Sequence, residues 1–188
     1  AFTIAFYLRK PNPGKMFLVG KRDSCGLGNH FDSFLSDTTP GTPRFELANP
    51  GDSWTAGGAF LPDNQWRHYV MVRNGSNARV YTDGDDGLNV GSIGTLNFSA
   101  IAAPFGISVS PCLQSDPRAR FFKGEIDELR IYNRALTAAE ALALASGEGV
   151  VSSGSVAVAP AEVGMGGQFV VSVPASAVPP APTTPMCS

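Results

Sequence analysis

The chain has 188 residues, and 43% of them are hydrophobic, which is enough to fill the core of one domain of ordinary size. Its formal net charge of −2 and pI near 5.6 provide no positive field for a polyanion, so nucleic acid is not an expected partner. No apolar run reaches the roughly 18 residues of a membrane span, so membrane insertion is not expected either. The chain begins within a strand-like segment, and we expect any export signal to have been removed already.

Short β-strands separated by turns dominate the predicted structure. Phe2–Leu8 alternates with period 2, the pattern of a half-buried strand, and a turn at 11–14 follows it. Asn74-Gly75 predicts a hairpin. The other predicted strands are Met16–Val19, Arg44–Leu47, Tyr69–Arg73, Arg79–Thr82, Leu88–Val90, Phe105–Val109 and Glu125–Tyr132. Many short strands, together with 21 glycines and 15 prolines, indicate an all-β sandwich.

One short helix is predicted after the last strand. Thr137 can accept a hydrogen bond from the N–H of Glu140, whose side chain can reach back to the N–H of Thr137, as in a capping box. Gly147 tolerates the left-handed conformation that ends many helices. The sequence therefore predicts a helix between these two ends.

Two segments resemble the laminin-G-like, concanavalin A-type jelly-roll family: NQWRHYVMVRNGSNARVYTDG at 64–84 and GEIDELRIYNRALTAAEALAL at 124–144. Members have a Trp before a strand, a hairpin ending in Tyr-x-Asp-Gly, and a Gly-x-Ile-Asp-Glu-x-Arg-Ile-Tyr strand before a short helix. The resemblance implies a concanavalin A-like jelly-roll β-sandwich with one short C-terminal helix over residues 1–148. An extended tail or linker, strand-like and then Pro-rich, follows over 149–188.

The two ends of the chain depart from a complete jelly roll. Family members usually have an additional strand before the segment that resembles Phe2–Leu8, whereas the tail contains strand-like runs at Ser155–Ala159 and Gln168–Val173. One interpretation is a trimmed chain, or a tail that folds back onto its own sandwich. The other is strand addition between copies, because open sheet edges pair with other chains. The predicted assembly residues are Phe169, Val171, Val173 and Cys187.

The three cysteines lack the Cys-x-x-Cys spacing of zinc or redox sites. The oxidising compartment that this kind of fold usually occupies favours a disulfide between Cys25 and Cys112, which lie in polar loops. Cys187 is then left for an intermolecular bridge or a free thiol. We therefore expect an extracellular or surface-displayed protein, either secreted or carried on a filament, coat or virion.

A hydrolytic site is predicted to be incomplete. Glu125-Ile126-Asp127 resembles the start of the catalytic strand of laminarinase-type glycoside hydrolases, which carry a third acidic residue two or three positions beyond the Asp. Here Leu129 and Arg130 occupy those positions, and Glu128 would point to the opposite face in a regular strand. The sequence therefore predicts no enzyme of this type.

Calcium is the one cofactor that the sequence suggests. Clustered carboxylates suit this cation, and laminin-G-like and pentraxin-like relatives hold it in loops, although the EF-hand pattern is absent. The candidate ligands are Asp83, Asp85, Asp86, Asp23 and Asp127.

Ligand binding is predicted at loop residues, because loops carry function. Trp54 lies in a Gly-rich segment that we interpret as a loop, and its ring can stack on a sugar, whereas Trp66 opens a family strand and is expected in the core. Asn29 and His30 are the other predicted ligand-binding residues, and His68 is expected to be structural. The sequence thus predicts a non-catalytic module that recognises a glycan or a protein. The alternative is a structural assembly subunit, such as a filament, coat or capsid component, that forms a homo-oligomer through its tail.

Overall fold

A computed structural model describes residues 1–11, 14–26, 28–50, 52–86, 96–115 and 120–147. The predicted strand Leu88–Val90 and the tail at 149–188, with Phe169, Val171, Val173 and Cys187, lie outside the described residues.

Strands make up most of the described chain. In chain order they are β1 (Phe2–Arg9), β2 (Met16–Lys21), β3 (His30–Leu35), β4 (Pro43–Asn49), β5 (Asp52–Gly57), β6 (Arg67–Asn74), β7 (Asn77–Thr82), β8 (Asp85–Asp86), β9 (Gly106–Ile107), β10 (Arg120–Phe121) and β11 (Glu125–Tyr132). The helical segments are a 3₁₀ turn at Phe98–Ala100, α1 (Cys112–Ser115) and α2 (Ala138–Ala145).

The strands form two sheets within the described residues. A five-stranded sheet has the order β11-β1-β6-β7-β8. A six-stranded sheet has the order β10-β2-β3-β4-β5, with β9 also paired to β2. All pairs are antiparallel except β10 with β2. Neighbours in space are therefore often distant in sequence.

The core lies between the two sheets, because alternate side chains of each strand point inward. From β1, Ile4, Phe6 and Leu8 are almost fully buried, and Phe45 and Leu47 of β4 meet them from the other sheet. Burying each such side chain stabilises the fold by roughly 1.5–3 kcal/mol. The period-2 pattern predicted for β1 is confirmed.

The outer face of the five-stranded sheet is covered by α2. Ala141 and Leu144 of the helix are buried in a second apolar cluster with residues of β1, β6 and β7. The hydroxyl of Tyr7 donates a hydrogen bond to the carbonyl of Ala145 at 2.9 Å, at the C-terminal end of the helix. Gly84 lies so close to α2 that a Cβ there would be 2.5 Å from Cδ1 of Leu142. The helix thus completes this side of the sandwich.

The ends of α2 confirm the capping prediction. The Thr137 hydroxyl accepts from the N–H of Glu140 at 3.2 Å, and the Glu140 carboxylate accepts from the N–H of Thr137 at 2.8 Å. Arg134 also donates hydrogen bonds to this carboxylate. Mainly because of that interaction, the pKa of Glu140 is lowered to about 2. Gly147 has a φ of 77°, as expected for a residue that ends a helix.

Several local predictions were wrong. Trp66 was expected in the core, but it is 43% exposed, with the Arg9 guanidinium 5.4 Å from its ring centre. Trp54 was placed in a loop, but it belongs to β5 and pairs through the backbone with Leu47. The regular alternation assumed for β11 fails at Glu128, which has a φ of 49° beside a register shift against β1. That shift is a β-bulge, which interrupts alternation locally.

Candidate ligand-binding site

The outer face of the six-stranded sheet carries a row of polar positions. Backbone pairing places Gly20 opposite Asp32, Asp32 opposite Glu46, and Glu46 opposite Thr55. Residues paired in this way lie on one face of a sheet. A Cβ at Gly20 would be 2.5 Å from that of Asp32, so only glycine leaves room for the aspartate. The row therefore sets two carboxylates side by side.

Arg22 and His30 complete this charged cluster, which comprises Arg22, His30, Asp32 and Glu46. The Arg22 guanidinium lies 2.9 Å from Asp32 and 3.6 Å from Glu46. Nε2 of His30 lies 3.4 Å from Oε1 of Glu46. Asp32 is 2% exposed, and its Oδ1 has no hydrogen-bond partner among the described residues. The cluster is thus a buried ionic network with one unsatisfied acceptor.

The surroundings move the two carboxyl pKa values apart. Burial raises the pKa of Asp32 to about 6, although Arg22 opposes the shift. Burial also acts to raise the pKa of Glu46, but the hydrogen bond with His30 and the charge of Arg22 outweigh it and lower that pKa. Perturbed carboxyl groups of this kind often mark functional sites.

A pocket of about 150 Å³ opens beside the cluster, at the segment between β2 and β3. We call the described residues of that segment, 22–26 and 28–29, the pocket loop. The walls are polar or small and consist of Arg22, Asp23, Ser24, Gly26, Gly28, Asn29, His30 and Ala100. The predicted residues Asn29 and His30 therefore both lie at this pocket.

Three kinds of contact hold the pocket loop in place. Cys25 forms a disulfide with Cys112, with the Cα atoms 4.7 Å apart, which is the pairing expected from the sequence. The Asp23 carboxylate accepts hydrogen bonds from the backbone N–H groups of residues 102 and 103. Oδ1 of Asn29 accepts from the N–H of Asn97 at 3.2 Å. The pocket is consequently a preformed feature of the fold.

Sequence reasoning missed Arg22, Asp32 and Glu46. The usable signal was local, because Asp32 and Glu46 are the acidic residues of two strands, HFDSFL and PRFELAN, whose other positions are largely apolar. The side chain of Trp54 lies outside the described residues, so its predicted role in binding stays a prediction.

The predicted calcium ligands lie in three parts of the fold, and calcium binding stays a prediction. Asp23 binds backbone amides in the pocket loop, Asp83 accepts from the N–H of His68 at 2.8 Å, and Asp127 accepts from the N–H of Glu128 at 2.7 Å. Asp85 begins β8, where it pairs with Thr82, and the side chain of Asp86 lies outside the described residues. Within the described part of the chain, no three His, Cys, Asp or Glu side chains converge to hold a metal ion.

A larger pocket of about 420 Å³ lies on the other sheet, between the β6–β7 hairpin and the start of α2. Arg79 is the one charged residue among its described walls. We take the smaller pocket as the candidate site because it adjoins the buried charged cluster.

Among the described residues, no helix has the length and apolar character needed to cross a membrane.

The Glu125 to Asp127 segment is occupied by structural contacts. Glu125 is ion-paired with Arg9, and Asp127 is bonded to the adjacent backbone as described above. The hydrogen bond from Arg9 lowers the pKa of Glu125.

Solved structures resemble this fold at low sequence identity. Domain 4 of the extracellular arabinanase AbnA from Geobacillus stearothermophilus, in complex with arabinotriose, has a TM-score of 0.59 and 21% identity over 77% of this chain and 66% of its own. The Ruminococcus gnavus IT-sialidase CBM40, bound to α2,3-sialyllactose, has a TM-score of 0.58 and 15% identity over 77% of this chain and 82% of its own. The botulinum neurotoxin type G receptor binding domain has a TM-score of 0.54 and 12% identity over 77% of this chain and 37% of its own. The chain thus spans less than two thirds of the first and third of these structures.

Family membership is shown by sequence. Among curated proteins, none matches this chain. The laminin G family model described as the concanavalin A-like lectin/glucanases superfamily matches residues 1–141, which is most of the chain. The two-sheet sandwich has the jelly-roll architecture of that superfamily. The chain therefore belongs to the concanavalin A-like lectin/glucanases superfamily.

Proposed function

We propose that this protein is a non-catalytic recognition module that binds a glycan at the pocket beside Asn29. The observation that carries the proposal is a preformed polar pocket next to a buried charged cluster, on a sheet face that α2 does not cover. Small-molecule sites are commonly preformed concavities with a few convergent polar groups. The rigid pocket loop, tied by Cys25, reduces the ordering that binding would require.

The comparisons support a binding module in general terms. Two similar structures hold arabinotriose and α2,3-sialyllactose, and a third is a receptor binding domain. Their identity to this chain is low, so they support the proposal through shared architecture, and fold alone does not assign function. The disulfide adds support for an extracellular or surface-displayed location, because disulfides persist in oxidising compartments.

Binding is favoured over hydrolysis at this site. Asp32 and Glu46 have pKa values moved in opposite directions, as in many acid and base pairs. However, Asp32 is 2% exposed, and the Arg22 guanidinium contacts both carboxylates, so a sugar has no direct access to the pair. A retaining hydrolase needs both carboxyl groups against the scissile bond.

The test is a glycan array followed by titration calorimetry of the bound sugars. Gly28 lines the pocket, and its φ is not in the left-handed region. A Cβ added at this position would have no atom of a non-adjacent residue within 4 Å. Gly28→Leu should therefore fill the pocket without backbone strain and weaken binding at least about tenfold, or 1.4 kcal/mol. Ala139→Leu, on the exposed side of α2, is the matched control and should bind like the parent. Equal affinity of Gly28→Leu and the parent would place the site elsewhere, and release of reducing sugar would contradict the non-catalytic proposal.

Assembly through the tail is a second candidate function, and one observation favours it. Phe121 of β10 is 62% exposed and Val109 is 57% exposed, beside the short strands at one edge of the six-stranded sheet. The N–H of Phe122 donates to the hydroxyl of Ser108 at 2.7 Å, which brings the two exposed side chains to the same region. An exposed apolar edge is suited to strand addition.

Deleting residues 150–188 tests this second candidate. If Gln168–Val173 joins a neighbouring copy, the full chain is an oligomer by native mass spectrometry and the shortened chain is a less stable monomer. An unchanged mass and melting temperature would make the tail a passive linker.

A further inference from the structure

The charged groups at the pocket are already bound by other groups of the protein. Arg22 is the only Lys or Arg among the described residues that line the pocket. Its guanidinium lies 2.9 Å from Asp32 and 3.6 Å from Glu46. Asp23, the acidic residue of the pocket wall, is held by backbone amides at 102 and 103. No cation of the described pocket wall is therefore available to pair with an acidic ligand.

The balance of charge also disfavours an acidic ligand. The carboxylates of Asp23, Asp32 and Glu46 lie on or beside the wall that contains the single guanidinium of Arg22. A sialic acid, uronic acid or sulfate group would bring a further negative charge into this environment. Like charges at close range repel more strongly near a protein interior than in bulk water.

The uncharged polar groups of the pocket retain hydrogen-bonding capacity. The hydroxyl of Ser24 and the amide nitrogen of Asn29 have no hydrogen-bond partner among the described residues. A hydroxyl both donates and accepts, and an amide nitrogen donates, which matches the hydroxyl groups of a neutral sugar. The pocket therefore offers contacts to hydroxyl groups but no free ion-pairing partner.

We infer that the pocket binds an uncharged saccharide unit and discriminates against the sialylated, sulfated or uronic counterpart of the same sugar. This specificity rests on the glycan-binding function proposed above and names its ligand class. The discrimination comes from the commitment of Arg22 to Asp32 and Glu46. In a pocket where such a guanidinium is free, it can bind a carboxylate with paired hydrogen bonds.

The test uses an array of matched pairs, each uncharged oligosaccharide printed beside its acidic form, such as lactose beside α2,3-sialyllactose. Titration calorimetry of the bound pairs follows, at low salt and at about 0.5 M NaCl. The acidic member should bind at least about tenfold more weakly at low salt, as expected for like charges in a partly desolvated site. The affinity for the neutral member should change less than about twofold with salt, because screening acts on charged ligands.

A charge-neutral variant gives the sharper result. Asp32→Asn with Glu46→Gln keeps side-chain size and removes both carboxylates that hold Arg22. The ratio of acidic to neutral affinity should then rise by about tenfold or more, because the two carboxylates no longer neutralise the positive charge of Arg22. Glu125→Gln, on the other sheet, is the control and should leave the ratio unchanged. If the double variant does not unfold cooperatively, Glu46→Gln alone should move the ratio in the same direction.

The outcomes separate this inference from the proposed function. Tighter binding of an acidic glycan than of its neutral partner by the parent protein overturns the inference and leaves glycan binding intact. An unchanged ratio in the folded variants also overturns it. An array on which the folded protein binds no glycan overturns the proposed function, and the inference falls with it.

Discussion

The two outer faces of the sandwich are completed in different ways. On the five-stranded sheet, α2 buries Ala141 and Leu144 in an apolar cluster, so that face is closed by the chain itself. On the six-stranded sheet, Asp32 and Glu46 lie beneath Arg22, and a disulfide-tied loop leaves a pocket. One face therefore contributes stability through burial, whereas the other retains polar groups that a ligand can contact.

Each face also includes a buried titratable group whose pKa is strongly shifted. Burial lowers the pKa of His68, beneath α2, to about 4, and burial raises that of Asp32 to about 6. The two shifts have one cause, because burial disfavours the charged form of either group. Their consequences for stability as a function of pH are opposite.

Removing the disulfide should have the largest effect on stability and on the pocket. The bond joins cysteines separated by 87 residues in sequence. Replacing both, as Cys25→Ser with Cys112→Ser, should lower the free energy of unfolding by about 4 to 5 kcal/mol, because the unfolded chain gains conformational entropy. The variant should also lose glycan affinity, because the pocket loop is released. Urea denaturation and calorimetry measure the two losses. A variant with parental stability would show that the loop is held by its hydrogen bonds alone.

Truncating the helix anchor should affect the closed face only. Leu144→Ala removes a side chain that is 1% exposed and should lower the free energy of unfolding by about 3 kcal/mol. Leu142→Ala, at a position that is 53% exposed, is the matched control and should cost much less. Glycan affinity should not change in either variant. Loss of binding in folded Leu144→Ala would mean that the two faces are coupled.

A change of pH should affect the stability contributions of the two buried groups, Asp32 and His68, in opposite directions. Asp32 has a folded pKa of about 6 against an ordinary value of 3.8, so the folded state binds more protons between these values and its contribution to stability falls as pH rises. His68 has a folded pKa of about 4 against 6.5, so the unfolded chain binds more protons and stability rises with pH.

Denaturation midpoints measured across this pH range should therefore respond in opposite directions. Asp32→Asn should make stability rise more steeply with pH, and His68→Gln should make it rise less steeply or fall. Slopes that change in the same direction in both variants would contradict the assignment of these pKa shifts.

Removing the helix cap should have the smallest effect. Thr137→Ala deletes the acceptor for the N–H of Glu140 and should cost about 1 kcal/mol without changing glycan affinity. Thr137→Ser keeps the hydroxyl and should remain close to the parent. A loss of binding without a loss of stability would place the start of the helix within the site.

Local signals in the sequence were sufficient for much of the fold. The alternation of β1 and the capping box of α2 depend on neighbouring residues, and both are confirmed. β3 was missed because its inward positions include Ser33, which is buried but polar and hides the apolar alternation. β5 was missed because its glycine-rich surroundings indicate a loop.

The candidate site was less predictable, because it depends on pairing between distant residues. Asn29 and His30 were predicted and line the pocket, but the charged cluster exists only because the register sets Asp32 opposite Glu46 and Gly20. Trp66, just before β6, likewise meets Arg9 at the end of β1, a contact between residues far apart in the sequence. Single-sequence patterns contain no information about such registers.

The bulge in β11 has a consequence for aggregation. β11 is the end strand of the five-stranded sheet within the described residues, and Glu128 adopts a φ of 49° there. A bulge and exposed charges such as Glu125 and Asp127 make an edge a poor template for a further strand. Copies of this protein at high concentration should therefore resist edge-to-edge polymerisation through β11.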